Sequence, residues 1–68
     1  MKSYPLAIEQ HMHHFYQTLS EKDRRRYAAI EALKLGHGGI TYICQLLDCD
    51  YSTIAPIVYG MNHSTFAK

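Results

Sequence analysis

The sequence predicts an all-α fold: a small helical domain with a helix-turn-helix module preceded by an amphipathic N-terminal helix. Three observations predict it. Apolar residues recur at the three-and-four spacing of helices through most of the chain. Glycine or aspartate stands where those runs stop. No stretch alternates as a half-buried strand does. With 68 residues there is room for one thin core and not for a catalytic cleft between two layers, since folding at this size buries only about 60% of the surface of the unfolded chain.

The elements follow in order. Pro5 suits a first helical position, and Ile8, Met12, Phe15, Tyr16 and Leu19 then make an apolar stripe, which predicts a helix from about Pro5 to Thr18. Ser20, three residues before Asp23, resembles a capping box with Asp in place of the usual Glu and starts a second helix. Along that helix Glu21 can meet Arg25, Tyr27, Ile30 and Leu33 line one face, and Ala28, Ala32 and Leu35 widen it. Gly36-His37-Gly38-Gly39 ends it. Ile40, Ile43, Cys44 and Leu47 form the apolar face of a short third helix, and Ile54, Ile57 and Val58 that of a fourth, beyond a polar break at Asp48-Cys49-Asp50. The expected organisation is an amphipathic helix over 1–19, a helix-turn-helix module over 20–59 and a flexible tail over 60–68.

Composition narrows the class. Hydrophobic residues make up 47% and charged residues 19%, which favours a folded chain over a disordered one. The formal net charge is only +1, so a nucleic-acid reading must rest on local charge. No apolar run approaches the 18 or so residues of a membrane span. The first residues lack the apolar run of a secretion signal, and the expected location is the cytoplasm, where Cys44 and Cys49 stay reduced and staple nothing. His11, His13 and His14 lack fixed further ligands, and the spacing of Cys44, Cys49, His37 and His63 fits no standard finger. No metal and no cofactor is expected.

From Ile43 to Ile54 each position has a place in a helix-turn-helix. Cys44 takes the small-residue position where two helices approach, Leu47 and Ile54 lock them together, and Cys49 points inward. Asp48 takes a turn position that usually needs glycine and must tolerate positive φ, while Asp50 can cap the next helix.

The strings Phe15-Tyr16-Gln17-Thr18-Leu19-Ser20-Glu21-Lys22-Asp23-Arg24-Arg25-Arg26-Tyr27-Ala28-Ala29 and Lys34-Leu35-Gly36-His37-Gly38-Gly39-Ile40 closely resemble the amino-terminal region of ISAzo-type insertion-sequence transposases, which carry a Rhodopirellula-type DDE domain. The resemblance runs from about Ala7 to Ile54. It implies a region that recognises the ends of the element, joined in full-length relatives to a metal-dependent nuclease. The three nuclease carboxylates belong to a separate domain, so the resemblance gives this chain no catalytic residue and the expectation is that it is not an enzyme.

The likeness fades after Ile54. The family continues with cationic residues along its recognition helix, whereas this chain reads Ala55-Pro56-Ile57-Val58-Tyr59-Gly60, and residues 36–67 contain no Lys or Arg. Pro56 inside a helix loses the bond to the Ser52 carbonyl and clashes with it, at about 3 kcal/mol or a kink. Tyr51, Ser52 and Thr53 remain at the start of that helix as residues to reach base edges or phosphates. Arg24, Arg25 and Arg26 read either as backbone contacts from the preceding helix or as a solvated, salt-bridged face.

Two functions follow as expectations. One is a truncated transposase module that binds double-stranded DNA at transposon ends weakly, through Tyr51, Ser52, Thr53 and Arg24 to Arg26. The other is a small helical interaction module that forms a homodimer or pairs with full-length transposase and regulates it.

Overall fold

The computed structural model describes residues 3–62. They form four α-helices, α1 (Leu6–Gln17), α2 (Glu21–Leu35), α3 (Gly39–Leu47) and α4 (Tyr51–Asn62). Among the described residues all regular structure is helical, and no helix is long and apolar enough to cross a membrane. The middle of the fold is α2, which packs on both α3 and α4, while α3 touches α4 and α1 lies across α3 and α2.

Each junction has a local cause. Pro5, with φ −58° and ψ 151°, stands just before α1 rather than as its first residue, and its carbonyl accepts from the Glu9 N–H at 3.0 Å. The Ser20 hydroxyl accepts from the Asp23 N–H at 3.3 Å, the N-cap that the Ser20-Asp23 spacing predicts. Glu21 and Arg25 pair across one helical turn at 3.8 Å. At the end of α2 Gly36 has φ 76° and ψ −138°, outside the left-handed helical region and open essentially to glycine alone. Gly39 is needed for a different reason. A Cβ there would collide with the Ala32 carbonyl oxygen and stand 3.0 Å from Leu35 Cβ, so α3 can start against α2 only because the side chain is missing.

The core is small and its composition explains its tightness. Ala28, Ala29 and Ala32 of α2 are buried against Ile43 and Leu47 of α3 and Ile54 and Val58 of α4. Three alanines let two helices approach α2 closely, and Ile43, Leu47 and Ile54 fill the space between them. This corrects the face expected for α2: Ile30 is 48% exposed, and the alanines lie at the centre of the buried surface. Helical spacing places Tyr27, Ile30 and Leu33 on a common side, but α3 and α4 both bear on the alanine side, and Tyr27 and Leu33 end at its flanks.

The stripe on α1 is also only partly used. Tyr16 is buried and Met12 packs on the core, whereas Ile8 and Phe15 are 46% and 51% exposed. Phe15 instead meets the edge of the Tyr27 ring, with centroids 5.2 Å apart.

Helix α4 continues through Pro56 and past the expected boundary at residue 60 to Asn62. Pro56 and Ser52 both lie at exposed positions, so the hydrogen bond that proline removes belongs to the exposed side of α4 rather than to the side packed on the core. Of the tail expected over 60–68, residues 63–68 lie outside the described residues.

Candidate nucleic-acid interface

The junction of α3 and α4 is built by backbone conformation first. Asp48, directly after the last residue of α3, has φ 60° and ψ 48°, the left-handed conformation that the sequence demands of it. The Cys49 N–H then donates to the Cys44 carbonyl at 3.0 Å, closing the six-residue loop of a Schellman motif. Leu47 on one side of the turn and Ile54 on the other are each 1% exposed, so the two helices are locked where the spacing places the lock.

Asp50 organises the start of α4. Its carbonyl accepts from the Thr53 and Ile54 N–H groups at 3.1 and 3.2 Å. Its carboxylate accepts from the Ser52 hydroxyl at 2.9 Å and the Thr53 hydroxyl at 3.5 Å. A carboxylate at a helix N-terminus stabilises the helix through its dipole. It also places negative charge at a helix N-terminus, the end that otherwise favours an anionic ligand.

The six residues expected to meet DNA fall into separate places. Thr53, Arg24 and Arg25 line one recess between α2 and the start of α4, together with Tyr16, Glu21, Cys49 and Asp50. Tyr51 opens on a different recess, shared with His37, Val58 and Tyr59 between the end of α2 and α4. Its hydrogen bond with Tyr59 pushes the Tyr51 hydroxyl pKa up. Ser52 is exposed and Arg26 is exposed. Tyr51 and Thr53 therefore line different recesses, while the Ser52 and Thr53 hydroxyls share the Asp50 carboxylate.

The arginine run divides its work. Arg24 donates from Nε to the Tyr16 carbonyl at 3.1 Å and from Nη2 to the Gln17 carbonyl at 3.0 Å, and its guanidinium carbon lies 5.4 Å from the centre of the Tyr16 ring. Those carbonyls belong to the last turn of α1, where helical partners run out, so Arg24 caps α1. Arg25 pairs with Glu21.

A second polar contact holds the other end of α1. The Tyr42 hydroxyl of α3 donates to Glu9 Oε2 and accepts from the Tyr4 N–H at 3.0 Å, and the Tyr4 and Tyr42 rings lie 6.0 Å apart. Desolvation first, then the bond to Glu9, raises the Tyr42 pKa. Sequence reasoning assigned no role to Tyr42, Glu9 or Tyr4. An (i, i+4) search finds pairs within one helix, and this set joins residues 33 and 38 positions apart.

The two thiols lie just beneath the turn. Cys44 is 7% exposed, and Cys49 packs against the same core while lining the recess with Thr53. Burial pushes the Cys44 thiol up to about 12, and burial likewise raises Cys49, which interacts with both Cys44 and the Tyr16 hydroxyl.

No protein-family model matches this chain, and neither does any curated protein or any solved structure.

Proposed function

We propose that this domain is a DNA-binding module of transposase type that engages insertion-element ends weakly, in the cytoplasm, without catalysing any reaction itself. One observation carries the reading: α3, a three-residue turn and α4 pack over α2, with Ser52 and Thr53 exposed at the first turn of α4 and Thr53 sharing a recess with Arg25. That is the arrangement in which a second helix offers its N-terminal residues to a groove while a neighbouring element approaches the backbone. The resemblance of the α2 sequence and of the glycine turn to insertion-sequence transposases supports the same reading.

Weakness follows from charge. Most of the affinity of a protein for DNA comes from cations that neutralise phosphates. Arg24 is occupied as a cap, Arg25 shares its charge with Glu21, and Asp50 stands at the N-terminus of α4.

Fluorescence anisotropy with a labelled insertion-sequence end and a scrambled duplex, each at low and physiological salt, tests the proposal. Tighter binding of the end sequence at both salts, with a logarithmic salt slope of about −0.9 for each phosphate contact, is the expected result. Absence of binding to both duplexes overturns it.

A second reading, pairing with another copy or with full-length transposase, is favoured by a separate observation. Leu6, Ile8 and Phe15 of α1 and Ile30 of α2 are large apolar side chains left 46% to 69% exposed. Concentration-dependent sedimentation that ignores salt distinguishes this reading from DNA binding.

A further inference from the structure

The α3–α4 turn brings the only two cysteines of the chain together, and the DNA reading uses them for packing alone. In a Schellman motif the residue after the left-handed one contacts the residue three before the helix end. Here those residues are Cys49 and Cys44, joined by the Cys49 N–H bond to the Cys44 carbonyl at 3.0 Å and packed in the same core. They differ in access. Cys49 lines the open recess beside Arg24, Arg25 and Thr53, whereas Cys44 is 7% exposed.

We propose that Cys44 and Cys49 form a dithiol site that a low-molecular-weight disulfide converts into an intramolecular disulfide, with Cys49 as the entry thiol and Cys44 as the resolving thiol. In the first step the Cys49 thiolate attacks one sulfur of the small disulfide. That S–S bond breaks, a mixed disulfide forms on Cys49, and one small thiolate leaves. In the second step the Cys44 thiolate attacks the Cys49 sulfur, the mixed disulfide breaks, and the second small thiolate leaves. The protein loses two protons and two electrons, and the small disulfide gains both to become two thiols.

Burial raises the pKa of both thiols, so little thiolate is present at neutral pH and exchange is slow. The disulfide ties the last turn of α3 to the residue before Asp50. It also takes from the Tyr16 hydroxyl its thiol neighbour, which links the state of the turn to the seat of α1.

The test treats the full chain with oxidised glutathione in mildly alkaline buffer, quenches samples in acid over time, and maps thiols and mixed disulfides by intact-mass and peptide mass spectrometry without reductant. The expected course is a transient glutathione adduct on Cys49, followed by a monomer without adduct, without free thiols and lighter by two hydrogens. Cys44→Ser is expected to stop at the Cys49 adduct, and Cys49→Ser to stay unmodified while folded by circular dichroism. A persistent adduct on the native chain, a disulfide-linked dimer, or a first adduct on Cys44 overturns the proposal. The time course of the native chain alone decides the order of attack if either variant fails to fold.

Discussion

Arg24 grips Tyr16 in two ways at once, donating from Nε to its carbonyl at 3.1 Å while the guanidinium lies 5.4 Å from its ring centre. A charged group that satisfies the end of one helix from the first turn of the next fixes the angle of the α1–α2 corner. The same atoms are then held away from any phosphate.

Replacement of Arg24 therefore acts on folding before it acts on binding. Arg24→Ala is expected to cost about 1–2 kcal/mol, as for hydrogen bonds from a charged group together with a partly exposed cation–π contact. Arg24→Lys recovers little, because an ammonium cannot reach two carbonyls in a planar fork. Urea midpoints measure both, and a native midpoint for Arg24→Ala would contradict the capping role.

Two glycines predict opposite signs. Gly39→Ala is expected to destabilise by about 2–3 kcal/mol, since its methyl group meets backbone of α2 that cannot move aside. Gly60→Ala, in α4 with open space around it, is expected to stabilise by about 0.5–1 kcal/mol. Thermal melting of the two variants side by side checks the contrast.

Asp50→Asn separates binding from stability. Loss of the carboxylate from the start of α4 should cost the fold about 0.3–1 kcal/mol. Under the proposed function it should tighten DNA binding by about 1 kcal/mol, the interaction of two unit charges about 4 Å apart in water. Anisotropy at low salt reads the gain, and an unchanged or weakened affinity would remove Asp50 from the interface.

Alkaline pH should unfold the domain in stages. The folded-state pKa values of Cys44 and Cys49 are raised above an ordinary 9.0, and those of Tyr16, Tyr27 and Tyr42 above 10.0, with burial the first cause in each. The unfolded chain thus gives up these protons first, and stability that is complete below about pH 9 falls as pH rises through the folded values. Melting temperature recorded from neutral to alkaline pH is expected to decline, with a shallower first phase in Cys44→Ala.

Local rules made much of this fold legible. The Ser20 cap, the glycine stop, the left-handed Asp48 and the lock between Leu47 and Ile54 each depend on neighbours within a few residues, which spacing reveals. The centre of the face chosen by α2 was not legible, although Ala28 and Ala32 were placed at its margin. Periodicity groups Ile30 with Tyr27 and Leu33, yet cannot show that two helices press on Ala28, Ala29 and Ala32 instead. The candidate interface was legible at its turn and less so at its charges. Nothing in three consecutive arginines reveals that the first lies within reach of the carbonyls of Tyr16 and Gln17, because that depends on where α1 ends in space.

The attachment of α1 gives the domain two tiers of cooperativity. Tyr42 and Arg24 fasten its ends with directional polar contacts, while Leu6, Ile8 and Phe15 face outward whether or not the helix is seated. Its release uncovers chiefly Tyr16 and part of Met12, so the step carries a shallow urea dependence and a small heat-capacity change. Amide protons of α1 should exchange with solvent through this subglobal opening at nearly constant rates across denaturant concentrations. Those of α2 and α3 that face the alanine core wait for the whole chain to unfold.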